Sequence, residues 1–282
     1  MHLPGPDYLA PAKLNLFLHV VGRRADGYHL LQSVFTLIDH CDRLRFRIRT
    51  DGVIRRVNDL PGVRPDQDLT VRAANLLREP RGTSHGADIE TEKLIPMGGG
   101  LGGGSSDAAT TLLVLDRLWE TGFGPEALGE LAAGLGADIP FFLFGGPAWV
   151  EGIGDELRAI DLPPAWFVVL TPPVEVPTRD VFAAPELTRD TEPLKMEDFS
   201  AQGGGQAWRN DLQTVVVSRY PAVRSHLEWL CERGKARMTG SGACVFAAYD
   251  SREAAQRVLD ELPATMRGFV ARGLTRHPLR MQ

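Results

Sequence analysis

A run of glycines constrains this chain more than any other feature. Six of the seven residues from 98 to 104 are glycine, within the segment PMGGGLGGGSSD at 96–107. Glycine adopts backbone conformations closed to other residues and lets a ligand approach the main chain closely. Successive N–H groups in such a loop form a concavity that binds anions. The segment therefore predicts a phosphate-binding loop, with a flexible linker as the alternative.

A helix is expected directly after these glycines. Apolar residues recur there with helical spacing, at Ala108, Leu112, Leu115 and Trp119. The free N–H groups and the positive dipole end at the start of this helix would face the same anion. The serines in front of it could cap the helix or contact phosphate.

Two familiar phosphate loops fit this segment poorly. A Walker A loop requires a lysine after the last glycine, and none follows here. Gly98, Gly100 and Gly103 match GxGxxG, but the dinucleotide fold also needs an acid that closes the next strand. Glu120 and Glu126 lie in or beside helical segments instead. A nicotinamide or flavin enzyme is therefore disfavoured.

Composition narrows the class of protein further. The 282 residues are 43% hydrophobic and 24% charged, which indicates a globular chain with one large or two small domains. A net charge of -5 argues against a nucleic-acid or membrane-surface binder. No apolar stretch is long enough for a membrane span, and no signal peptide is visible. The three cysteines, at 41, 231 and 244, form no disulfide or metal pattern. We expect a cytoplasmic protein with no nucleic-acid or membrane partner.

Periodicity along the chain predicts an α+β fold, because strands and helices mix without strict alternation. Strands are expected at 12–20, with one buried face, and at 43–49, 87–95, 166–170 and 268–274, with two more within 235–249. Helices are expected at 69–78, after the glycines, from 125 to about 134, and at 211–218, 222–232 and 252–262. Residues 172–205 are expected to be irregular.

Phosphoryl transfer needs charge neutralisation, usually by Mg²⁺, and a group that positions the acceptor hydroxyl. Asp138 is the best candidate for that group, since it lies between a helix end and an apolar run. The alternative is that Asp138 caps the next helix, which has Pro140 in its first turn. Lys13 projects from the strand at 12–20 on the same face as Asn15. The alternative there is a solvated lysine.

Three motifs in order add a family resemblance. They are APAKLNLFLHV at 10–20, PMGGGLGGGSSDAA at 96–109 and TGSGACVFA at 239–247. They resemble the signature motifs of the superfamily of galactokinase, homoserine kinase, mevalonate kinase and phosphomevalonate kinase. Other segments, ADGYHLLQSVF at 25–35 and LGADIPFFL at 135–143 among them, are similar to the branch that phosphorylates 4-diphosphocytidyl-2-C-methyl-D-erythritol.

The resemblance spans residues 10–275 and implies two domains. Residues 1–157 would form an ATP-binding domain similar to domain 2 of ribosomal protein S5, and 158–282 a ferredoxin-like domain. The acceptor would lie in a cleft between the two. ATP would lie along the loop formed by Pro96, Met97, Gly98, Gly99, Gly100, Leu101, Gly102, Gly103, Gly104, Ser105 and Ser106.

The resemblance also implies roles for single residues. Asp138 would accept the proton of the erythritol hydroxyl or orient it. Lys13 would keep Asp138 ionised and stabilise charge on the transferring phosphoryl group. Further positions would face the acceptor, with an aromatic ring stacked on cytosine and a histidine on its edge: Asn15, Tyr28, His29, Thr178 and Phe182. TGSGA would line the cleft or shape the loop.

Several members of the superfamily use a helix glutamate to bind magnesium, but residues 105–119 contain no glutamate. We therefore expect Mg²⁺ to be held by nucleotide phosphates, water and a serine, and we assign no protein metal ligand. Two other functions stay open, a kinase of another small alcohol and a non-catalytic nucleotide sensor. The oligomeric state is expected to be a monomer or a weak homodimer.

Overall fold

The structure is a computed structural model that describes residues 2–201 and 208–280. Its strands are β1 (Tyr8–Arg23), β2 (His29–Arg49), β3 (Ile54–Arg56), β4 (Gly86–Glu92), β5 (Ala148–Glu151), β6 (Glu156–Ala159), β7 (Trp166–Leu170), β8 (Arg237–Met238), β9 (Val245–Tyr249) and β10 (Gly268–Leu274). Its helices are α1 (Leu69–Arg81), α2 (Gly103–Leu118), α3 (Gly124–Ala132), α4 (Ile139–Phe144), α5 (Thr178–Phe182), α6 (Met196–Ala201), α7 (Asp211–Arg219), α8 (Pro221–Cys231) and α9 (Arg252–Asp260).

The predicted helices and strands are confirmed, with shifted ends. The largest shift is at the strand expected at 43–49, because β2 begins at His29. Helix α2 begins at Gly103 and so includes the last two glycines. Sequence analysis missed the short elements β3, β5, β6 and α4 to α6. Part of the region expected to be irregular contains α5 and α6, and its end at residues 202–205 lies outside the described residues.

The second half of the described chain has the ferredoxin-like order. Its strands β7 to β10 alternate with α7, α8 and α9 as βαββαβ, and the sheet order is β10-β7-β9-β8. Neighbouring strands in this part are antiparallel. Strand β10 also pairs with β2 at Gly273 and Leu274, so the sheets of the two halves are continuous. The α+β prediction is confirmed.

Strand β1 is buried on both faces, whereas its alternation predicted one buried face. Residues 10–20 are all buried, including the polar Lys13, Asn15 and His19. The reason is that the C-terminal half packs on this strand: Leu14 and Phe17 share a hydrophobic cluster with Phe246. The N–H of Leu18 also donates to the carbonyl of Arg209 at 3.0 Å. The interpretation of Lys13 as a solvated lysine is therefore wrong.

Three hydrophobic clusters hold these layers together. One packs α1 to α4 against β2 and β4, and a second packs α7 to α9 against β7 to β9. The third lies between them and contains Leu14, Phe17, Trp149 and Phe246, which come from both halves. The domain boundary between residues 157 and 158 stays a prediction. Within the described ranges, no helix combines the length and apolarity that crossing a membrane requires.

The glycine loop is held from two sides. The N–H of Lys13 in β1 donates to the carbonyl of Leu101 at 3.0 Å, and the N–H of Cys244 donates to the carbonyl of Gly99 at 3.1 Å. Gly100 has φ +75°, and a Cβ there would lie 2.4 Å from the carbonyl oxygen of Thr239. Only glycine fits this position without moving the loop or the segment around Thr239.

We expect Gly100→Ala to lower the free energy of unfolding by about 1–3 kcal/mol, because it combines left-handed strain with a backbone clash. Urea unfolding measures this change. Gly129→Ala is the control, since Gly129 lies within α3 and has open space around it. That change should stabilise the protein by up to about 1 kcal/mol. Equal stability of the Gly100 variant and the wild type would contradict the close packing of the loop.

Candidate active site

Two cavities meet at the glycine loop. The larger has a volume of 1030 Å³ and opens between the two halves of the chain. The smaller has a volume of 410 Å³ and lies on the other side of the loop, beside the start of α1. Gly98, Gly100, Gly102 and Ser105 line both. A ligand in one cavity can therefore reach a ligand in the other across these four residues.

The smaller cavity follows the loop closely. Ten of the eleven residues predicted to hold the triphosphate line it, from Pro96 to Ser105. Ser106 does not, because it is fully buried and donates its hydroxyl to the carbonyl of Pro11 at 2.7 Å. Ser106 thus anchors α2 to β1.

The start of α2 differs from the expected serine cap. Gly102 is the N-cap residue, with φ +72°, and no side chain among the described residues caps the helix. The backbone donors of the first turn are therefore left for a ligand. A helix start of this kind, next to a glycine loop, binds phosphate through backbone N–H groups and the helix dipole.

A buried charged cluster lies against the smaller cavity. The ammonium of Lys93 binds the carboxylates of Asp42 and Asp107, the latter at 2.8 Å. Asp42 also accepts the N–H groups of Leu94 and Ile95 at 2.6 and 2.7 Å. Burial raises the pKa of Asp107, although the nearby Lys93 opposes the shift. This cluster fixes the chain just before the loop, and sequence analysis did not single it out.

Lys13 and Asp138 meet at the larger cavity. The Lys13 side chain is 5% exposed and the Asp138 side chain 33% exposed, and their Nζ and Oδ2 atoms are 3.6 Å apart. Asp138 occupies the N-cap position of α4, yet its side chain makes no capping hydrogen bond. The capping alternative is therefore wrong, and the carboxylate is left facing the lysine and the cavity.

Lys13 is held in place by its neighbours. Its Nζ donates to Oδ1 of Asn15 at 2.6 Å and lies 4.6 Å from the centre of the Phe35 ring. Asn15 in turn donates its backbone N–H to the hydroxyl of Thr239 at 2.9 Å and its amide to Ser33 at 3.2 Å. Because these groups are buried, the ammonium has one direction in which to act, toward Asp138 and the cavity.

The TGSGA turn has both roles that sequence analysis left open. It shapes the loop, since the carbonyl of Thr239 packs on Gly100, and the N–H of Cys244, the residue directly after the turn, donates to the carbonyl of Gly99. It also lines the larger cavity through Gly240, Ser241 and Gly242. Ser241 and Thr178 share a hydroxyl hydrogen bond of 2.6 Å across the cavity wall.

The five residues expected to face the acceptor all line the larger cavity: Asn15, Tyr28, His29, Thr178 and Phe182. Tyr28 is 61% exposed, so its ring is open to a partner. The rings of His29 and Phe182 lie 5.0 Å apart with a tilt of 33°. Burial, followed by the charges of Arg189 and Arg23, lowers the pKa of His29.

Sequence analysis missed several residues that shape this site. Arg189 binds His29, Phe35 lies under Lys13, and Lys93 with Asp107 lines the smaller cavity. Charge next to an apolar segment, as at Lys93 before Leu94 and Ile95, is a signal that could have pointed to Lys93. Nothing in the local pattern around Arg189 marks it, because its partner lies 160 residues away.

Comparison with known proteins supports a single family. Residues 68–146 match the profile of the GHMP kinases N terminal domain, and 196–268 match that of the GHMP kinases C terminal domain. The 4-diphosphocytidyl-2-C-methyl-D-erythritol kinase of Aromatoleum aromaticum is 58% identical and covers 97% of this chain and 95% of its own. The kinase of the same name from Thiobacillus denitrificans is 61% identical, with 96% of each chain covered.

Solved structures agree with this assignment. A crystal structure of 4-(cytidine 5'-diphospho)-2C-methyl-D-erythritol kinase superposes with a TM-score of 0.83 at 34% identity, over 95% of this chain and 99% of that one. A mevalonate kinase shares the fold alone, with a TM-score of 0.71 at 15% identity over 96% and 100% of the two chains. The chain thus has the two-domain GHMP kinase fold and belongs to the family of 4-diphosphocytidyl-2-C-methyl-D-erythritol kinases.

Proposed function

We infer that this chain catalyses the ATP-dependent phosphorylation of the 2-hydroxyl of 4-diphosphocytidyl-2-C-methyl-D-erythritol, giving the 2-phosphate and ADP, a step of non-mevalonate isoprenoid biosynthesis. One observation carries the inference beyond the family relationship. The cavity lined by Lys13, Asp138 and the five acceptor residues shares four loop residues with the cavity that follows the glycines. The two substrates can therefore meet at the loop.

ATP occupies the smaller cavity in this proposal. Its phosphates lie on the N–H groups of residues 98–105, where the loop and the first turn of α2 supply donors. Binding to main-chain donors requires no lysine from the loop itself, which explains the absence of a Walker A lysine. The terminal phosphate then points across Gly102 toward the larger cavity.

The CDP-linked alcohol occupies the larger cavity. The open ring of Tyr28 and the ring of Phe182 are suited to stack on cytosine, and His29 is suited to bind its edge. Asn15 and Thr178 supply polar contacts between the base and the loop. The erythritol hydroxyl would lie beside Asp138 in this arrangement.

Lys13 and Asp138 carry the chemistry. The hydroxyl oxygen forms a bond to the γ-phosphorus as the bond from that phosphorus to the β–γ bridging oxygen breaks, and the hydroxyl proton passes to the Asp138 carboxylate. The Lys13 ammonium, 3.6 Å from that carboxylate, orients it and offsets negative charge on the transferring group. Most of the catalysis in such a reaction is positioning and electrostatic stabilisation.

Magnesium fits this site as an ion held mainly by phosphates and water. Ser105 and Asp138 line the larger cavity and carry the oxygen donors that Mg²⁺ prefers. Within residues 2–201 and 208–280, no group of three or more His, Cys, Asp or Glu side chains is arranged to hold a metal. When bound, the ion supplies neutralisation of phosphate charge.

The remaining expectations stay proposals. A cytoplasmic location is supported by the free thiols of Cys41, Cys231 and Cys244. A monomer or weak homodimer, and the absence of nucleic-acid and membrane partners, stay predictions.

ADP release with Mg-ATP tests the function directly. We expect turnover with the CDP-linked methylerythritol and none with free methylerythritol, homoserine or mevalonate at the same concentration. Turnover with one of the other alcohols instead would support the alternative of a different small-alcohol kinase. ATP binding without turnover of any alcohol would support a nucleotide sensor.

We expect Asp138→Asn to lower kcat about 10²–10⁴-fold while the KM for ATP changes by less than about threefold. The amide keeps the shape of the side chain but cannot take the proton. Steady-state kinetics with both substrates measure the effect. Asp161→Asn is the matched control, because Asp161 is an exposed acid outside the two cavities of the site. A kcat for Asp138→Asn equal to that of this control would contradict the assigned role.

A further inference from the structure

Arg189 lies behind the larger cavity and binds His29 directly. Its Nε donates to Nε2 of His29 at 3.0 Å. The rest of its guanidinium donates to main-chain carbonyls of Leu187 at 2.9 Å, Phe182 at 3.0 Å and Ala184 at 2.7 Å. One half-buried arginine therefore joins His29 to the segment that carries Phe182.

This contact decides which ring nitrogen of the neutral His29 imidazole carries the proton. A guanidinium only donates hydrogen bonds, so Nε2 of His29 must accept, and the ring proton of the neutral imidazole then resides on Nδ1. The surroundings of His29 favour the neutral form: burial lowers its pKa most, followed by the charges of Arg189 and Arg23. The other charged side chains that line the same cavity are Lys13, Asp26, Asp138 and Arg179.

The proton on Nδ1 has no partner within the protein as described. Among residues 2–201 and 208–280, Arg189 is the hydrogen-bond partner of the His29 ring, and it takes Nε2. His29 lines the larger cavity beside Phe182. A hydrogen-bond donor at Nδ1 is therefore left for the ligand.

We propose that Arg189 is a positioning residue that fixes His29 as the Nδ1–H tautomer, and that this tautomer makes the acceptor site select cytosine over uracil. The proposal rests on the function inferred above. Cytosine has a hydrogen-bond acceptor at N3, whereas uracil has an N–H donor there. A donor on His29 therefore pairs with N3 of cytosine and opposes N3 of uracil, and a site built for one pattern rejects the other.

The first test reads the tautomer without any substrate. Nitrogen-15 NMR of the histidine rings in the free wild-type protein should show Nδ1 of His29 protonated and Nε2 unprotonated. Arg189→Met should release this preference. An Nε2–H tautomer in the wild type would overturn the proposal.

The second test measures KM and kcat for the CDP-linked alcohol and its UDP-linked analogue. Arg189→Met should raise the KM for the CDP-linked alcohol about tenfold, as expected for a misdirected polar contact, and should reduce the preference over the UDP-linked analogue. Because the imidazolium donates from both nitrogens, the raised KM of this variant should fall again as the pH is lowered from about 8 to about 6 through the ordinary pKa of histidine.

A double-variant cycle separates the effect of Arg189 on the His29 tautomer from its support of the segment that carries Phe182. In His29→Asn, the amide can donate to the base whichever way Arg189 is changed, so adding Arg189→Met should raise KM by less than about twofold. Arg224→Met is the matched control, because Arg224 also binds main-chain carbonyls, of Val217 and Ser218, away from the site. Its KM values should equal those of the wild type.

Equal increases in KM when Arg189→Met is made alone and in His29→Asn would overturn the proposal, as would a KM that does not recover at low pH. Failure of the wild type to turn over the CDP-linked alcohol would count against the proposed function. The NMR spectrum of the free protein would still decide the tautomer in that case.

Discussion

The main-chain packing of both halves of the chain against the glycine loop is the constraint on which the rest of this structure depends. Leu101 is bound by the backbone of β1, and Gly99 by the backbone of Cys244, directly after the TGSGA turn in the C-terminal half. The approach at Gly100 is so close that a single added carbon would meet the Thr239 carbonyl at 2.4 Å. Because both halves bind the loop, the cavities on its two sides have fixed positions relative to each other. Phosphate on one side and hydroxyl on the other can then meet without a large rearrangement.

The burial of polar side chains in β1 follows from this packing of the two halves. The C-terminal half covers β1, and Lys13 and Asn15 lose contact with water as a result. A buried ammonium is costly unless it is paired, and here it has Asn15, the Phe35 ring and Asp138 as partners. The same enclosure means that the Lys13 charge is weakly screened, so it acts on the neighbouring Asp138 carboxylate, which lines the cavity. Covering the strand thus both stabilises the interface and prepares the charges for phosphoryl transfer.

Local sequence patterns predicted the long elements and the loop well, because period-two and helical spacing report burial directly. They failed where a distant segment changes the environment. The alternation in β1 indicated one solvent-exposed face, but α7 and the TGSGA turn cover it. Ser106 looked like a phosphate ligand by its place in the motif, yet it points to Pro11. Tyr28 and His29 were found through family resemblance, whereas Arg189 was missed because its contact with His29 spans 160 residues. Such contacts are properties of the tertiary fold.

The central claim is that the phosphoryl group passes directly from one cavity to the other across Gly102, with Lys13 and Asp138 at the point of transfer. The stereochemistry at phosphorus tests it most directly. The measurement uses ATP made chiral at the γ-phosphate with oxygen isotopes, and it determines the configuration of the phosphate on the product alcohol. A single in-line displacement inverts the configuration, and inversion is the result we predict. Retention would require two successive transfers through a group on the protein, and it would contradict the account.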